Sequence, residues 1–375
     1  MPPPNQVVLL VSKAYFDHFA SDLHLMSSTL AQGSSLELVI LHPLPTPSQV
    51  GMEDMTPSLD THGISPYDLN RINCAFASED LQFNFADMRR LFGVIMTAPN
   101  IRWLGISWIG IDFALFDPVK EKNHCVITNA AGSNALPIAM SVLAAILAFN
   151  RGLVHWVNAT TKQTWPNRQL FPRRRDLVGQ RLLLYGYGAI GREVGRLAKA
   201  VGMNVVGVKR SIPLPLSSAL NELMQNCDEL IHPDQLLTAV QSADIVVIAA
   251  PYSSSTRNVF DADMLEHFKK GAVLCNVGRG GIVDESALAR LLTSGHISNA
   301  YFDVFSVEPL PSDHPLWKAP NMIISPHDSA SCSDNAQRVQ NGFLSNLERF
   351  GRNEELDNVQ WVAGNGEKVS RASKL

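Results

Sequence analysis

The sequence has few cysteines, and none is placed as metal-binding or disulfide-forming cysteines usually are. The 375 residues contain five, at positions 74, 125, 227, 275 and 332, and no two form a Cys-x-x-Cys pair. An odd, scattered set argues against a disulfide framework and against a zinc site built from cysteines. We therefore expect no bound metal and a reducing compartment.

A long apolar run and a strong excess of charge are also absent. The longest nearly apolar stretch, 135–149, is too short to cross a bilayer, and the first residues lack a basic leader. Lysine and arginine total 31 against 35 acidic residues, so the formal net charge is −4. This balance provides no electrostatic reason to bind nucleic acid or an anionic membrane. We expect a soluble intracellular protein that acts on a small molecule.

What the chain contains is the composition of a globular protein too large for one hydrophobic core. Apolar residues make up 46% and charged residues 18%, and the length favours two domains. Short apolar runs predict strands in the first half at 7–11, 38–41, 93–96 and 103–106. A buried helix is predicted over 136–151, and the proline-containing segment 42–70 is predicted to be a loop.

The second half alternates strands with amphipathic helices more regularly. Strands are predicted at 182–185, 204–208, 244–250, 272–277 and 300–305. This alternation indicates a doubly wound parallel sheet.

A dinucleotide-binding fingerprint follows the first strand of this second half. It consists of Gly186, Tyr187, Gly188, Ala189, Ile190 and Gly191, a G-x-G-x-x-G between a strand and a helix. Gly186 permits the tight turn, Gly188 lets a pyrophosphate approach the backbone, and Gly191 lets helix and strand pack closely. The free N–H groups of Ala189 and Ile190 would face the anion. The fingerprint predicts a dinucleotide cofactor.

Cations occupy the position that distinguishes NAD from NADP. An acidic residue about 20 positions beyond the fingerprint usually holds the ribose 2′-hydroxyl of NAD. Here Lys209, Arg210 and Ser211 stand there, and no acidic residue occurs between Glu193 and Glu222. We predict that NADP(H) is preferred and that NAD(H) is possible. The alternative is that these residues are only exposed charges at the end of a strand.

Three side chains further along could together reduce a keto acid. This chemistry needs a cation to hold the carboxylate and polarise the carbonyl, a general acid to protonate the oxygen, and a carboxylate to tune that acid. Arg279, His327 and Glu308 supply these groups. Taken singly, each could equally belong to a salt bridge or a packed core, but the set predicts an active site.

From about Thr97 to Val359 the sequence resembles the D-isomer-specific 2-hydroxyacid dehydrogenase family. The resemblance is carried by TAPNIRWLGISWIGID, VITNAAGSNALPIAMSVLAAIL, LLLYGYGAIGREVGRLAKAVGMNVVGV, ADIVVIAAPYSSSTRNVF, KKGAVLCNVGRGGIVDESALARLL and AYFDVFSVEPLPSDHPLWKAPNMIISPH. It implies that Arg279 binds the substrate carboxylate and carbonyl, and that His327 is the acid/base. Glu308 would bond to the imidazole and stabilise its charged form.

The resemblance also implies the remaining site residues. The nicotinamide carboxamide would bond to Asp303, and the substrate carboxylate to backbone N–H groups of Trp108, Ile109 and Gly110. The predicted cofactor-binding residues are Gly186, Gly188, Ala189, Ile190, Gly191, Lys209, Arg210, Ser211, Ala250, Pro251, Val277 and Asp303.

The fold implied by the family is α/β, with two Rossmann-like doubly wound parallel-sheet domains and the active-site cleft between them. The substrate domain would be discontinuous, at 1–129 and 326–363, with the dinucleotide-binding domain at 130–325 between its parts. We expect a flexible tail at 364–375, ending in the Ser-Lys-Leu address read by the peroxisomal import receptor. This predicts residence in a peroxisome or a related organelle such as a glycosome. A homodimer is the expected assembly.

The expected function is NAD(P)H-dependent reduction of a small 2-keto acid, with glyoxylate or hydroxypyruvate the leading candidates, to the D-2-hydroxy acid. The alternative is a dinucleotide-sensing binding protein, because similar transcriptional corepressors retain the same arginine, glutamate and histidine. The terminal Ser-Lys-Leu does not suit a nuclear protein. Phosphoglycerate dehydrogenase with a regulatory domain is disfavoured by the 48 residues that follow His327, and formate dehydrogenase by Glu308.

Overall fold

The computed structural model describes residues 6–30, 35–43, 63–108, 111, 114–122, 125–166, 175–212 and 217–362. Within them the α-helices are α1 Lys13–Thr29, α2 Pro66–Leu69, α3 Phe85–Thr97, α4 Asp117–Lys120, α5 Ala135–Arg151, α6 Leu153–Thr161, α7 Ala189–Ala200, α8 Ser218–Met224, α9 Leu236–Ser242, α10 Ala262–Glu266, α11 Glu285–Ser294 and α12 Asn335–Gly351. The strands are β1 Gln6–Ser12, β2 Ser35–Leu41, β3 Cys74–Ala77, β4 Trp103–Ile106, β5 Val126–Thr128, β6 Arg181–Tyr185, β7 Asn204–Val208, β8 Glu229–Ile231, β9 Ile245–Ile248, β10 Ala272–Asn276, β11 Ile297–Phe302, β12 Met322–Ile324 and β13 Val359–Val362.

The chain divides into two compact units, one discontinuous and one continuous. Of the described residues, those from 6 to 133 and from 333 to 362 belong to the first unit, and those from 134 to 332 belong to the second. These boundaries lie four and seven residues beyond the predicted junctions at 129/130 and 325/326. The second junction moves because hydrogen bonds tie the segment after β12 to the end of β11. His327 N donates to Asp303 O, and the Asp303 carboxylate accepts from the N–H groups of Asp328 and Ser329.

The first unit is built on a six-stranded sheet in the order β13-β5-β4-β3-β1-β2. Its strands pair in parallel except for β13, which is antiparallel to β5. Strand β1 is apolar on both faces because helices cover both sides of the sheet. Val8 and Leu10 face one core, and Val7, Leu9 and Val11 face the other.

The strand predicted at 93–96 is wrong, because these residues belong to α3. The helix begins after Asn84, whose side chain accepts a hydrogen bond from Asp87 N. Its buried residues include Met88, Leu91, Phe92, Val94 and Ile95, which recur at helical spacing. A four-residue apolar run fits a buried strand and a buried helix equally well, and the longer pattern decides between them.

The second unit contains a seven-stranded parallel sheet in the order β12-β11-β10-β9-β6-β7-β8. The direction in which successive strands are added reverses between β6 and β9. In such sheets ligands bind at this reversal, beyond the carboxyl ends of the strands. Helix α7 packs on the sheet as predicted. Val194 and Ala198 are buried, and Ile190, Leu197 and Val201 pack against the same core.

Helices α5 and α6 differ in how they are covered. Ala139, Val142 and Ile146 of α5 are buried, whereas α6 buries no residue within its unit. Among the described residues, no single helix is long and apolar enough to cross a membrane. Only α5 and α6 taken together have the length and apolar composition of a membrane span, and the two helices are bent by 73° where they meet.

Candidate active site

The predicted cofactor and catalytic residues of the second unit lie at one edge of its sheet. The glycine-rich loop follows β6, and Lys209 to Ser211 follow β7. Arg279 follows β10, Asp303 and Glu308 follow β11, and His327 follows β12. Because all of these strands are parallel, the loops after them emerge at the same edge.

Two of the three fingerprint glycines are closely packed and leave no room for a side chain, whereas the third faces open space. Gly186 has a φ of +101°, and a Cβ there would lie 2.5 Å from Ala250 N. A Cβ on Gly191 would lie 2.4 Å from Gly186 O. A Cβ on Gly188 would meet nothing within 4 Å, although this residue precedes the helix. The open space lies beside the N-terminus of α7, where free N–H groups attract an anion, so the loop fits a dinucleotide pyrophosphate.

Arg210 and a serine from another loop meet beyond the end of β7. Arg210 is exposed, and its Nη1 donates to Ser255 Oγ over 3.4 Å. Burial raises the pKa of the Tyr185 phenol at the end of β6, and the nearby Arg210 cation acts in the opposite direction. Lys209 is half-buried and Ser211 is exposed. The structure thus presents the Arg210 guanidinium to solvent beside the glycine-rich loop.

The loops after β9 and β10 press against each other through backbone atoms. Ala250 is only 6% exposed, and a Cβ on Gly278 would lie 2.7 Å from Ala250 O. Val277 is also buried, whereas Pro251 is exposed. Of these three predicted cofactor residues, Pro251 alone presents an exposed side chain.

The loop that carries Arg279 is fixed from inside by Asn276. The fully buried Asn276 accepts a hydrogen bond from Gly278 N at 3.0 Å and donates to Arg279 O at 3.1 Å. Arg279 is exposed, and its Nη1 donates to Gly278 O at 2.7 Å. A Cβ on Gly280 would lie 1.9 Å from Phe305 C, so only glycine fits there. The guanidinium is therefore exposed on a rigidly packed loop.

Glu308 and His327 form a hydrogen-bonded pair. Glu308 Oε2 lies 2.7 Å from His327 Nδ1, and Glu308 Oε1 accepts from Phe305 N at 2.8 Å. The His327 side chain is 51% exposed, so a substrate could reach the ring. Because Nδ1 bonds to the carboxylate, Nε2 is the ring nitrogen left to exchange a proton with a substrate.

The Asp303 carboxylate organises the His327 segment. Asp303 is 2% exposed and accepts hydrogen bonds from Ser325 Oγ, Ser329 Oγ and the N–H groups of Asp328 and Ser329. His327 has a φ of +56°, a region that nonglycine residues rarely adopt. Its N–H donates to Asp303 O at 2.9 Å, which helps to hold this conformation. The predicted contact of Asp303 with the nicotinamide carboxamide stays a prediction.

The predicted substrate loop lies in the first unit, and only part of it is described. Ile109 and Gly110 fall outside the described residues. Trp108 is half-buried, its carbonyl accepts from Ala130 N at 3.3 Å, and its ring centroid lies 6.3 Å from that of Phe116. The indole N–H is buried and has no hydrogen-bond partner in the described structure. The role of this loop toward a substrate stays a prediction.

The sequence analysis missed the residues that support the predicted catalytic side chains. Ser325 and Ser329 flank His327 by two residues on each side, and both bond to the Asp303 carboxylate. Glu285 was also missed, although it contacts the turn that carries Glu308. The only signal for the serines was their proximity to the histidine. Nothing local pointed to Glu285.

Comparison with known proteins places the chain in a family. The model of the D-isomer specific 2-hydroxyacid dehydrogenase NAD binding domain matches residues 143–329. An (S)-sulfolactate dehydrogenase from Chromohalobacter salexigens is 31% identical over 251 residues, which cover 67% of this chain and 78% of that protein. A hydroxypyruvate reductase from Thermotoga maritima is 28% identical over 249 residues, which cover 66% of this chain and 76% of that protein. A match to a D-3-phosphoglycerate dehydrogenase from Methanocaldococcus jannaschii spans 48% of that protein.

A solved structure agrees with these sequence matches. A D-isomer specific 2-hydroxyacid dehydrogenase family protein from Aeromonas salmonicida has a TM-score of 0.65 and 26% identity, over 95% of this chain and 98% of that one. The fold, the dinucleotide loop and the matches define an NAD(P)-dependent dehydrogenase. The chain belongs to the D-isomer-specific 2-hydroxyacid dehydrogenase family.

Proposed function

We propose that the protein reduces a small 2-keto acid of the glyoxylate or hydroxypyruvate type to the D-2-hydroxy acid, with NADPH preferred over NADH. The observation that carries the proposal is the 2.7 Å bond between Glu308 and His327, on the sheet edge that also bears Arg279 and the glycine-rich loop. The name of the Thermotoga maritima relative supports this substrate class.

In this proposal a bound reduced nicotinamide supplies the hydride. Residues of the chain bind the substrate, stabilise the developing charge and donate the proton. The planar fork of Arg279 binds the substrate carboxylate and stabilises negative charge as it builds on the carbonyl oxygen. His327 Nε2 donates a proton to that oxygen. Glu308 holds Nδ1, keeps the ring oriented and stabilises the imidazolium form.

The test is a panel of 2-keto acids assayed with NADPH and NADH in wild-type protein and two variants. His327→Ala should lower kcat by about 10²- to 10⁴-fold, the usual contribution of a positioned acid. Arg279→Ala should raise KM for the keto acid and lower kcat, because the cation acts on both the bound substrate and the developing charge.

The control for this test is His267→Ala. His267 follows α10 in the same unit, before β10, and its Nδ1 lies 2.8 Å from Asp263 O, so its loss should leave turnover intact. Undiminished turnover in His327→Ala would remove that histidine from the mechanism. Tight dinucleotide binding with no turnover of any keto acid would instead favour the sensing protein.

We also propose that the chain forms a homodimer through α5 and α6. Met140, Leu153 and Val157 are 54%, 48% and 64% exposed, and α6 buries no residue within its unit. Apolar helix faces of this kind are costly to leave in water and are typical of subunit interfaces. Light scattering should give twice the chain mass for wild-type protein and less for Leu153→Asp/Val157→Asp. A monomeric wild-type protein would contradict the proposal.

The predicted import signal lies outside the described residues and stays a prediction. Binding of the peroxisomal import receptor to the full chain, and loss of that binding when Leu375 is removed, would support it. Equal binding with and without Leu375 would contradict it.

A further inference from the structure

A second carboxylate–histidine pair lies beside the Glu308 turn. Glu285, the first residue of α11, is only 8% exposed. Its Oε1 accepts hydrogen bonds from Ser306 N at 2.7 Å and from Ser306 Oγ at 2.9 Å. Its Oε2 lies 3.3 Å from His314 Nε2. A buried carboxylate is costly unless it is well bonded, and this one accepts two hydrogen bonds from Ser306 and lies beside the His314 imidazole.

A contact of His314 Nδ1 indicates which of the two ring nitrogens carries the proton. Leu316 N donates to His314 Nδ1 over 3.4 Å, so Nδ1 is an acceptor. In the neutral ring Nε2 therefore carries the proton, and it lies 3.3 Å from Glu285 Oε2. The oxygen nearest His314 is Oε2, and Oε1 is the acceptor for Ser306.

Ser306 lies in the turn that carries the catalytic carboxylate. One residue earlier, Phe305 N donates to Glu308 Oε1 at 2.8 Å, and Glu308 Oε2 then bonds to His327. The other side of the turn is closed by the Arg279 loop, because a Cβ on Gly280 would lie 2.1 Å from Ser306 N. The Phe305–Ser306 peptide thus sits between Glu285 and the backbone that presents the cation.

We propose that Glu285 is a positioning residue for the catalytic pair. It fixes Ser306, and through this turn it sets the direction in which Glu308 faces His327. The activity part of the test rests on the proposed function. The contacts among Glu285, Ser306 and Glu308 lie within one unit and do not depend on which substrate is bound.

A purely structural role for Glu285 is the competing explanation, and the chain offers a matched control for it. A carboxylate in the first turn of α11 favours the helix whatever else it touches. The side chain that caps this helix is Asp284, which accepts from Ala287 N at 2.8 Å. Asp284→Ala removes the cap and leaves the bonds to Ser306 in place, so it reports helix stability alone.

The first measurement is steady-state kinetics on Glu285→Ala and Glu285→Gln. A misaligned acid acts in the transition state, so kcat should fall by roughly 10- to 100-fold in Glu285→Ala with little change in KM. Glu285→Gln keeps one oxygen for Ser306 and should lose less. Asp284→Ala should lower Tm and leave kcat unchanged.

The second measurement is a coupling test in the Glu308→Gln background. If Glu285 acts through Glu308, adding Glu285→Ala to Glu308→Gln should lower kcat little further, and the basic limb of the pH profile should stay where Glu308→Gln put it. In the parent background Glu285→Ala should move that limb to lower pH. The other ionisable groups on the segments around His327, Asp303 and Asp328, are unchanged in all variants.

The third measurement needs no turnover, so it separates this proposal from the proposed function. ¹⁵N NMR of the His327 ring in the full chain should show Nδ1 losing its carboxylate bond in Glu285→Ala, as in Glu308→Gln. If no keto acid is reduced but this signal changes, the proposed function fails and the positioning role stands. An unmoved ring signal, or equal loss of kcat in both backgrounds, would overturn the proposal.

Discussion

The proposed preference for NADPH can be tested at Arg210. A guanidinium beside the adenosine ribose attracts a 2′-phosphate and offers nothing comparable to a 2′-hydroxyl. Arg210 is exposed, and its one described side-chain hydrogen bond is the 3.4 Å contact with Ser255. Binding a phosphate would cost little beyond this weak contact. We therefore expect Arg210→Ala to lose NADPH preference while kcat/KM for NADH stays nearly constant.

The size of the effect follows from the exposure of the side chain. A charge-assisted hydrogen bond contributes about 1.5 to 3 kcal/mol, or roughly 10- to 150-fold in binding. Because Arg210 is open to solvent, screening favours the lower end, and about tenfold is expected. Raising the ionic strength should reduce the preference in wild-type protein, because salt screens exposed charges. Lys209→Ala should have a smaller effect, since Lys209 is half-buried.

The assay compares kcat/KM for NADPH and NADH, together with equilibrium binding of 2′,5′-ADP and 5′-AMP, which needs no turnover. Arg290→Ala is the control, because Arg290 is an exposed arginine within α11 rather than at the end of β7. Equal kcat/KM values for the two cofactors in wild-type protein would refute the reasoning. So would a preference that survives both Arg210→Ala and Lys209→Ala.

Three further predictions concern the catalytic turn and the thiols. Glu308→Gln should move the basic limb of the reductive pH profile to lower pH, because the lost carboxylate stabilised the protonated ring; an unmoved limb would assign Glu308 a structural role only. Gly280→Ala should lower Tm and cut kcat/KM by at least tenfold, since its Cβ would lie 1.9 Å from Phe305 C. Wild-type kinetics in this variant would show that the loop backbone moves to accommodate the Cβ. A thiol reagent at pH 8 should label one cysteine per native chain, the exposed Cys332, and five after unfolding. Burial raises the pKa of Cys275 to about 12, so labelling of that residue in native protein would contradict its packing.

Local sequence patterns were sufficient to predict the dinucleotide loop and many of the strands. The G-x-G-x-x-G pattern predicts its own strand, turn and helix, because the three glycines and the two elements they join lie in one short stretch of the chain. The structure confirms β4 at 103–106 and the buried face of α7. The roles of Arg279 and His327 were predicted from the residue types that the chemistry of a keto acid reductase requires, and they stay predictions.

The tertiary structure decided what depends on distant parts of the chain. The helix at 93–96 is a different case, because it follows from the pattern over the 13 consecutive residues of α3 and not from distant contacts. The segment after β12 joined the second unit because Asp303, more than 20 residues earlier, accepts its N–H groups. Glu285 meets Ser306 across 21 residues for a related reason. Such pairs form only once strand order brings separate loops to one edge of the sheet, and no local pattern of residues encodes that order.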